Sequence, residues 1–531
     1  MRNRDGQSAL TPSAAPSWEA AENEITSNRP GLAAQAGKIG KLGSIYLLAV
    51  VAERLIGICL LPIFTHYLVP AQMGIVSLAS QVSRFLMVFL QLGVLGALWR
   101  HYFHTDPAER PELIRSVTSG QILQIGVLCV GLSIVGIWVS DALLPNLPLP
   151  QSYIFGLWMM IVWSCFLGAM ILTAIQLLRF QERAIRSVVL ELLRYVCQVG
   201  LGVTAVVWLG WQGFGRQGTI FLGTVIAGVA AIVVLWRLGR GGFRISVYLG
   251  VLRTGVTYIP HSLSGVLGPT VTAWLLNKMV SSTALGVYGI AMMFSTTIVV
   301  PLSAFRSAAY PTLAESMRAG DAGARRQHAR LLTLLNIGMV WILLGVWLFA
   351  RPAVVLLTAP AYHEAASVVS ILVIAWLFQA FLVSVQPPLL FLGRGLLLSS
   401  GTISALLTTI TLCFLLIPRY EIYGAAWAVA GGYATRFVMI AIISSVVYPL
   451  PWEWGKTLRL LVCCGVLGWV AHSLESELSL WWEIAAKVAL FLSVLPALRV
   501  LRVITTREIS QLLQLIATKL RWPVGITLKR S

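Results

Sequence analysis

Long apolar runs separated by short polar breaks set the pattern of this chain from residue 43 to about residue 503. Most runs reach or approach the ~20 residues that a helix needs to cross a bilayer. They are continuous rather than alternating, which predicts α-helices and excludes barrel strands. The first two, at 43–66 and 74–98, are joined by Val69-Pro70-Ala71-Gln72-Met73-Gly74, and charge enters them only at Glu53, Arg54 and Arg84. The same form recurs at about 116–138, 153–177, 187–209, 217–237, 255–280, 285–305, 331–350, 367–391, 396–417, 423–446, 459–474 and 483–498. The predicted fold class is therefore an all-α polytopic membrane protein with about 14 transmembrane helices.

An internal repeat divides this series. Met73-Gly74-Ile75-Val76-Ser77-Leu78-Ala79 returns 212 residues later as Leu285-Gly286-Val287-Tyr288-Gly289-Ile290-Ala291. Gly218-Thr219-Ile220-Phe221-Leu222-Gly223 is echoed more faintly by Gly424-Ala425-Ala426-Trp427-Ala428-Val429. An even number of helices per unit makes the repeat parallel, with its axis along the membrane normal. The expected organisation is a disordered tail at 1–41, six-helix halves at 42–254 and 255–450, two additional helices at 451–503, and a basic amphipathic tail at 504–531. In that last tail, Ile509, Leu512, Leu513, Ile516 and Leu520 share one side of a helix, either on a membrane surface or as a solvated extension.

Charge gives the chain a direction. If the N-terminus is cytoplasmic, 30 of the 39 Lys and Arg fall in inner loops and tails, and only Arg216, Arg351 and Arg419 fall outside. One helix missed or invented early in the chain would abolish that asymmetry. Both termini are therefore expected in the cytoplasm. The net charge of +19 follows from this bias and does not call for nucleic acid.

Hydrophobic residues make up 57% of the chain and charged ones 11%, against ~25% charged in ordinary globular proteins. The seven cysteines lie mostly in apolar runs with no metal-binding spacing, so no zinc site or disulfide framework is expected. There is no phosphate-cradling GxxxxGK[ST], no GxSxG and no HExxH, and no large outer loop carries carboxylates. Catalysis, metal and cofactor are accordingly not expected.

The candidate chemistry is charge inside the membrane, where each group costs roughly 2.5–3.5 kcal/mol on insertion scales. Arg54, Arg84, Arg194 and Arg436 are deep positions and, with Lys278 near an outer helix end, are the candidate substrate-binding cations. Glu53, Glu191 and His261 are the candidate ion-coupling groups. Neighbours on a helix are about 100° apart, so Glu53 and Arg54 do not face each other. Glu191 and Arg194 stand one turn apart and can pair locally. His261, beside Pro260, either lines a cavity or caps backbone that the proline frees. Lys487, near an edge, is set aside. Deep arginines outnumber deep acids, which suits an anionic substrate, and the planar guanidinium matches phosphate geometry.

The hairpin Leu61-Pro62-Ile63-Phe64-Thr65-His66-Tyr67-Leu68-Val69-Pro70-Ala71-Gln72-Met73-Gly74 resembles the polysaccharide (Wzx-type) flippases. So do Leu92-Gly93-Val94-Leu95-Gly96-Ala97-Leu98-Trp99-Arg100, Gly255-Val256-Thr257-Tyr258-Ile259-Pro260, Ala308-Ala309-Tyr310-Pro311 and Leu416-Ile417-Pro418-Arg419-Tyr420-Glu421-Ile422-Tyr423-Gly424. These flippases belong to the multidrug/oligosaccharidyl-lipid/polysaccharide exporter superfamily, and the likeness covers about residues 40–450. It implies a bacterial inner-membrane protein that moves an undecaprenyl-diphosphate-linked oligosaccharide outward by alternating access, for exopolysaccharide, capsule or O-antigen synthesis. It also implies membrane lipid, a polysaccharide polymerase and glycosyltransferases as partners. A peptidoglycan-precursor flippase, a cation-coupled multidrug exporter of the same superfamily, and a membrane glycan polymerase or ligase are the alternatives.

Overall fold

The computed structural model describes residues 50–303, 306, 317, 322–392, 394–449, 454–473 and 479–500. The tails expected at 1–41 and 504–531 lie outside the described residues, as does the side chain of His261. The protein is 89% helical and has no strand among the described residues.

In the N-terminal half, α1 is Val50–Tyr67, α2 Pro70–Gln91, α3 Val94–His104, α4 Arg110–Leu143, α5 Gln151–Phe180, α6 Ala184–Trp208 and α7 Gly213–Leu238. A connecting helix, α8 (Ile245–Val256), precedes α9 (Ile259–Met279) and α10 (Ser282–Ser303). Then come α11 (Ala322–Leu348), α12 (Ala350–Leu357), α13 (Pro360–Val385), α14 (Pro387–Phe391), α15 (Gly395–Val447), α16 (Trp454–Ser473) and α17 (Leu480–Val500).

Ten of the described helices are long and apolar enough to cross a membrane. One of them, α15, is two helices joined at Glu421, whose φ of 48° breaks the ladder within the expected gap between 417 and 423. Helices also occupy the three other expected positions, as α9, α16 and α17. Fourteen spans thus stays an expectation from the sequence rather than a count made on the structure. The expected segment 255–280 begins differently: its helix stops at Val256, turns through Thr257 and Tyr258, and restarts at Ile259 with Pro260 in the first turn, where a missing N–H costs nothing.

Each half is built around one helix that is apolar on every side and therefore buried. In the first half this is α5, with Leu157, Trp158, Ile161, Val162, Cys165 and Ala169 in the core. In the second it is α13, with Ala365, Val368, Val369, Leu372 and Ala375. α5 packs on α2, α4 and α7, and α13 packs on α10, α11 and α15. α16 and α17 pack on α11.

The helices that carry the repeated segments, α2 and α10, pack against each other. α2 crosses α10 so closely that a β-carbon at Gly74 would strike the Ser282 carbonyl and one at Gly286 would strike the Pro70 carbonyl. Gly74 and Gly286 are 212 residues apart, and so are Pro70 and Ser282. This exchange of equal contacts is what an approximate two-fold axis between the halves produces. The ends of the helices repeat it. Tyr362 Oη donates to the Leu68 carbonyl at 2.6 Å, and the Ala359 N–H donates to Thr65 Oγ1 at 3.2 Å. In the counterpart, Asn277 Nδ2 donates to the Pro145 carbonyl, Asn146 Nδ2 to the Lys278 carbonyl at 2.9 Å, and Trp274 Nε1 to the Ala142 carbonyl at 2.9 Å. Each half's loop clasps the first helix of the other half at this end of the bundle.

Candidate functional site

Helix α2 carries a polar stripe, Ser77, Ser80, Gln81 and Arg84, at spacings of three and four residues, so the four side chains share one face. That face turns toward α10 and α9 and lines a cavity of about 290 Å3 between the halves, together with Arg54, Tyr288 and Thr296. Arg54 and Arg84 are exposed to this space, and their charges act on each other. Among the described residues neither has a hydrogen bond or an ion pair with an acid. Two guanidinium groups that line one cavity, with no acid bound to either among the described residues, can each present a planar fork of N–H donors to an anion.

The cavity is not symmetric. The repeat position of Arg84 is Thr296, which lines the same space, and that of Arg54 is Val266. Both cations therefore come from the N-terminal half.

The other candidates lie elsewhere. Arg194 and Arg436 do not line this cavity; each is half-buried, with a buried Nε that makes no hydrogen bond. Glu191 binds Arg179 of α5 at 3.1 Å rather than Arg194 on its own helix. Lys278 ends α9 with its Nζ 4.7 Å above the Trp274 ring, exposed at the clasped end. Glu53 is half-buried on α1 beside Tyr195, on which Glu53, Arg54 and Arg216 all act.

Two groups were passed over in the sequence. Arg216, expected in an outer loop, opens α7 and turns inward, where its Nη1 donates to the Gln198 carbonyl at 2.8 Å and to Thr219 Oγ1 at 3.1 Å. Its guanidinium sits 4.4 Å over the Phe64 ring, which ties α1 to α6 and α7. Lys487, set aside as an edge residue, is fully buried and bound to Glu483 at 2.7 Å. The polar stripe on α2 is legible in the sequence itself, as four polar residues at helical spacing within an apolar run.

The profile of a family described as polysaccharide biosynthesis proteins matches residues 39–317, more than half of the chain. The chain belongs to that family. No curated protein matches this family member at a significant level. Among solved structures its fold is similar to that of the lipid II flippase MurJ in an inward closed conformation, with a TM-score of 0.66 and 11% identity, covering 84% of this chain and 96% of that one. It is also similar to an inward-facing multidrug resistance MATE family transporter of the MOP superfamily, with a TM-score of 0.61 and 13% identity over 74% of this chain and 94% of the other. The MATE multidrug transporter DinF-BH in complex with R6G gives a TM-score of 0.56 and 17% identity, covering 78% and 96%. At these identities the likeness shows the fold, an all-helical transporter fold, and the neighbours are transporters and a flippase rather than enzymes.

Proposed function

We propose that the protein flips a lipid-linked oligosaccharide, carried on undecaprenyl diphosphate, from the cytoplasmic to the outer leaflet of a bacterial inner membrane. The observation that carries this reading is the pair Arg54 and Arg84, with no acid bound to either among the described residues, in the cavity between the halves. A diphosphate offers several anionic oxygens to two guanidinium forks, and charge-assisted bonds of this kind are roughly twice as strong as neutral ones. Ser77, Ser80 and Gln81 would meet the first sugar, while the lipid tail stays in the bilayer.

The clasp supplies the second state. Its five hydrogen bonds join helix ends and loops of opposite halves. At about 0.5–1.5 kcal/mol net each, they hold the clasped end shut by a few kcal/mol. Driving a two-state equilibrium from 1:99 to 99:1 takes ≈ 5.5 kcal/mol of differential affinity, so binding of a charged head group is on the right scale to bias it. The positive-inside tally supports placing the clasped end outside and both termini in the cytoplasm. Glu53, beside Tyr195, and His261 are the groups we assign to ion coupling; Glu191 is engaged by Arg179. Arg194, Arg436 and Lys278 are assigned to later contacts with the substrate along its route. A polymerase and glycosyltransferases would act on the glycan before and after this step.

Reconstitution into liposomes with a fluorescent lipid-linked oligosaccharide tests the reading. The wild-type protein should expose the glycan to an external quencher, and Arg54→Gln with Arg84→Gln should not. Absence of flipping by the wild type would overturn it. The likeness to MurJ favours one second reading, a peptidoglycan-precursor flippase, and a muropeptide-bearing lipid in the same assay separates the two.

A further inference from the structure

A second cavity, of about 450 Å3, lies between the C-terminal half and the last two helices, at the clasped end. Trp347 of α11, Arg351 of α12, Ser367 and Ser370 of α13, Tyr423 of α15 and Lys487 of α17 line it. Behind the lining stands Glu483, which binds both Arg351 and Lys487, the latter at 2.7 Å. The side chains of Glu483 and Lys487 are each 1% exposed, whereas that of Arg351 is 39% exposed.

A buried ion network is a poor way to fasten two helices. Apolar residues of similar volume often give equal or greater stability, and an ionisable group inside a membrane protein is by default a functional one. Here the shared acid holds two long cationic side chains in fixed positions at a cavity wall. The rest of the wall combines an indole, a phenol and two hydroxyls, of which Ser367 is exposed. Aromatic faces suit the C–H surface of a sugar ring, while charged donors and hydroxyls suit its edge. The volume is in the range of small-molecule sites. The comparison within the molecule is direct: the cavity of about 1000 Å3 at the same end of the N-terminal half is lined by Leu149, Met160, Phe214, Phe221 and Leu222 among others and by no charged residue.

We propose that the cavity walled by Trp347, Arg351, Ser367, Ser370, Tyr423 and Lys487 is a saccharide-binding site that takes one or two sugar residues of a glycan at the release end. The assignment rests on the flippase reading, and it deepens that reading by giving the sugar chain a site of its own, apart from the Arg54–Arg84 wall. Glu483 acts as a positioning residue that aims Arg351 and Lys487.

The test uses full-length protein in nanodiscs and, as probe, the lipid-free oligosaccharide released by mild acid from the host's own lipid-linked pool, with binding read by calorimetry. Wild type should bind. Ser367→Ala with Ser370→Ala, which leaves the ion network intact, and Trp347→Leu should each weaken binding about 10-fold or more while keeping a cooperative thermal transition. No binding by the wild type, equal affinity in both variants, or complete displacement of the probe by phosphatidylglycerol would overturn the site. Released glycan that binds here while the lipid-linked form is not flipped would remove only the flippase reading. Flipping without binding here would remove only this site.

Discussion

In the N-terminal half, α2 brings Arg84 to the cavity between the halves; 212 residues later, α10 brings Thr296 to the same cavity. The backbones at these places are near equivalents, as the exchanged contacts of Gly74 and Gly286 show. The duplicated part is the joint, and the unduplicated part is the charge. A joint must fit itself across an axis, so both copies keep small residues and clasping loops. A ligand has no such symmetry, and one wall suffices to hold an anion.

That contrast can be broken most forcefully at the cations. Arg84→Gln or Arg54→Gln should lower glycan flipping roughly 30-fold or more, the scale of losing one partner from a desolvated charged contact, with unchanged membrane insertion. Thr296→Val, at the matching position, should cost less than threefold. Liposome flipping assays on the three variants check both statements, and equal losses would end the claim of asymmetry.

The joint should respond in the opposite manner, equally on both sides. Gly74→Ala and Gly286→Ala each force a methyl group onto a backbone carbonyl, an overpacking worth about 1–3 kcal/mol. Both should loosen the clasped end to a similar degree, seen as faster labelling of a cysteine placed at Ser77. A smaller and again matched effect is expected from the clasps. Tyr362→Phe and Asn277→Ala each remove a hydrogen bond between the halves, worth about 1 kcal/mol, so the unclasped population should rise roughly fivefold in each. Spin-label distances across the loops would read it.

The smallest effect concerns the link between the halves. His101 Nε2 lies 3.1 Å from Thr254 Oγ1 of α8, and burial, then the charges of Arg100 and His104, hold its pKa below the usual histidine range. A depressed folded-state value means that the unfolded chain binds the proton more readily, so this contact's contribution is complete above the ordinary value of ≈ 6.5 and is lost as pH falls toward the folded value. Hydrogen exchange in α8 should quicken modestly below that pH, and His101→Gln should flatten the dependence.

The membrane made the fold legible. Lipid offers no partner for a backbone N–H or C=O, so spanning segments must be long, apolar and helical, and even the break at Glu421 was bracketed by the polar run Pro418-Arg419-Tyr420-Glu421. The break at Thr257 and Tyr258 is marked only by Pro260, which fits the first turn of the helix that restarts at Ile259. The site was legible only in part, because depth along the chain says nothing about which way a side chain turns. Arg54 and Arg84 line one cavity, whereas Arg194 and Arg436, equally deep by sequence, do not join them. Glu191 has a local cation one turn away yet binds Arg179 on the preceding helix. Lys487 is set aside by its place near an edge of the last apolar run, which says nothing of its partners. Glu483, one turn earlier on the same helix, and Arg351 from another make burial the better choice for it.

The Gly74–Gly286 crossing also determines how far the distant ends can travel. From Gly74 to the end of α2 at Gln91 is roughly 25 Å at 1.5 Å per residue. With the crossing as fulcrum, a tilt of about 15° swings the far end of that lever through roughly 7 Å, enough to admit a phosphate-bearing head group while the fulcrum itself hardly moves. Two carbonyls pressed onto two glycines would thus convert a small rotation into a wide opening.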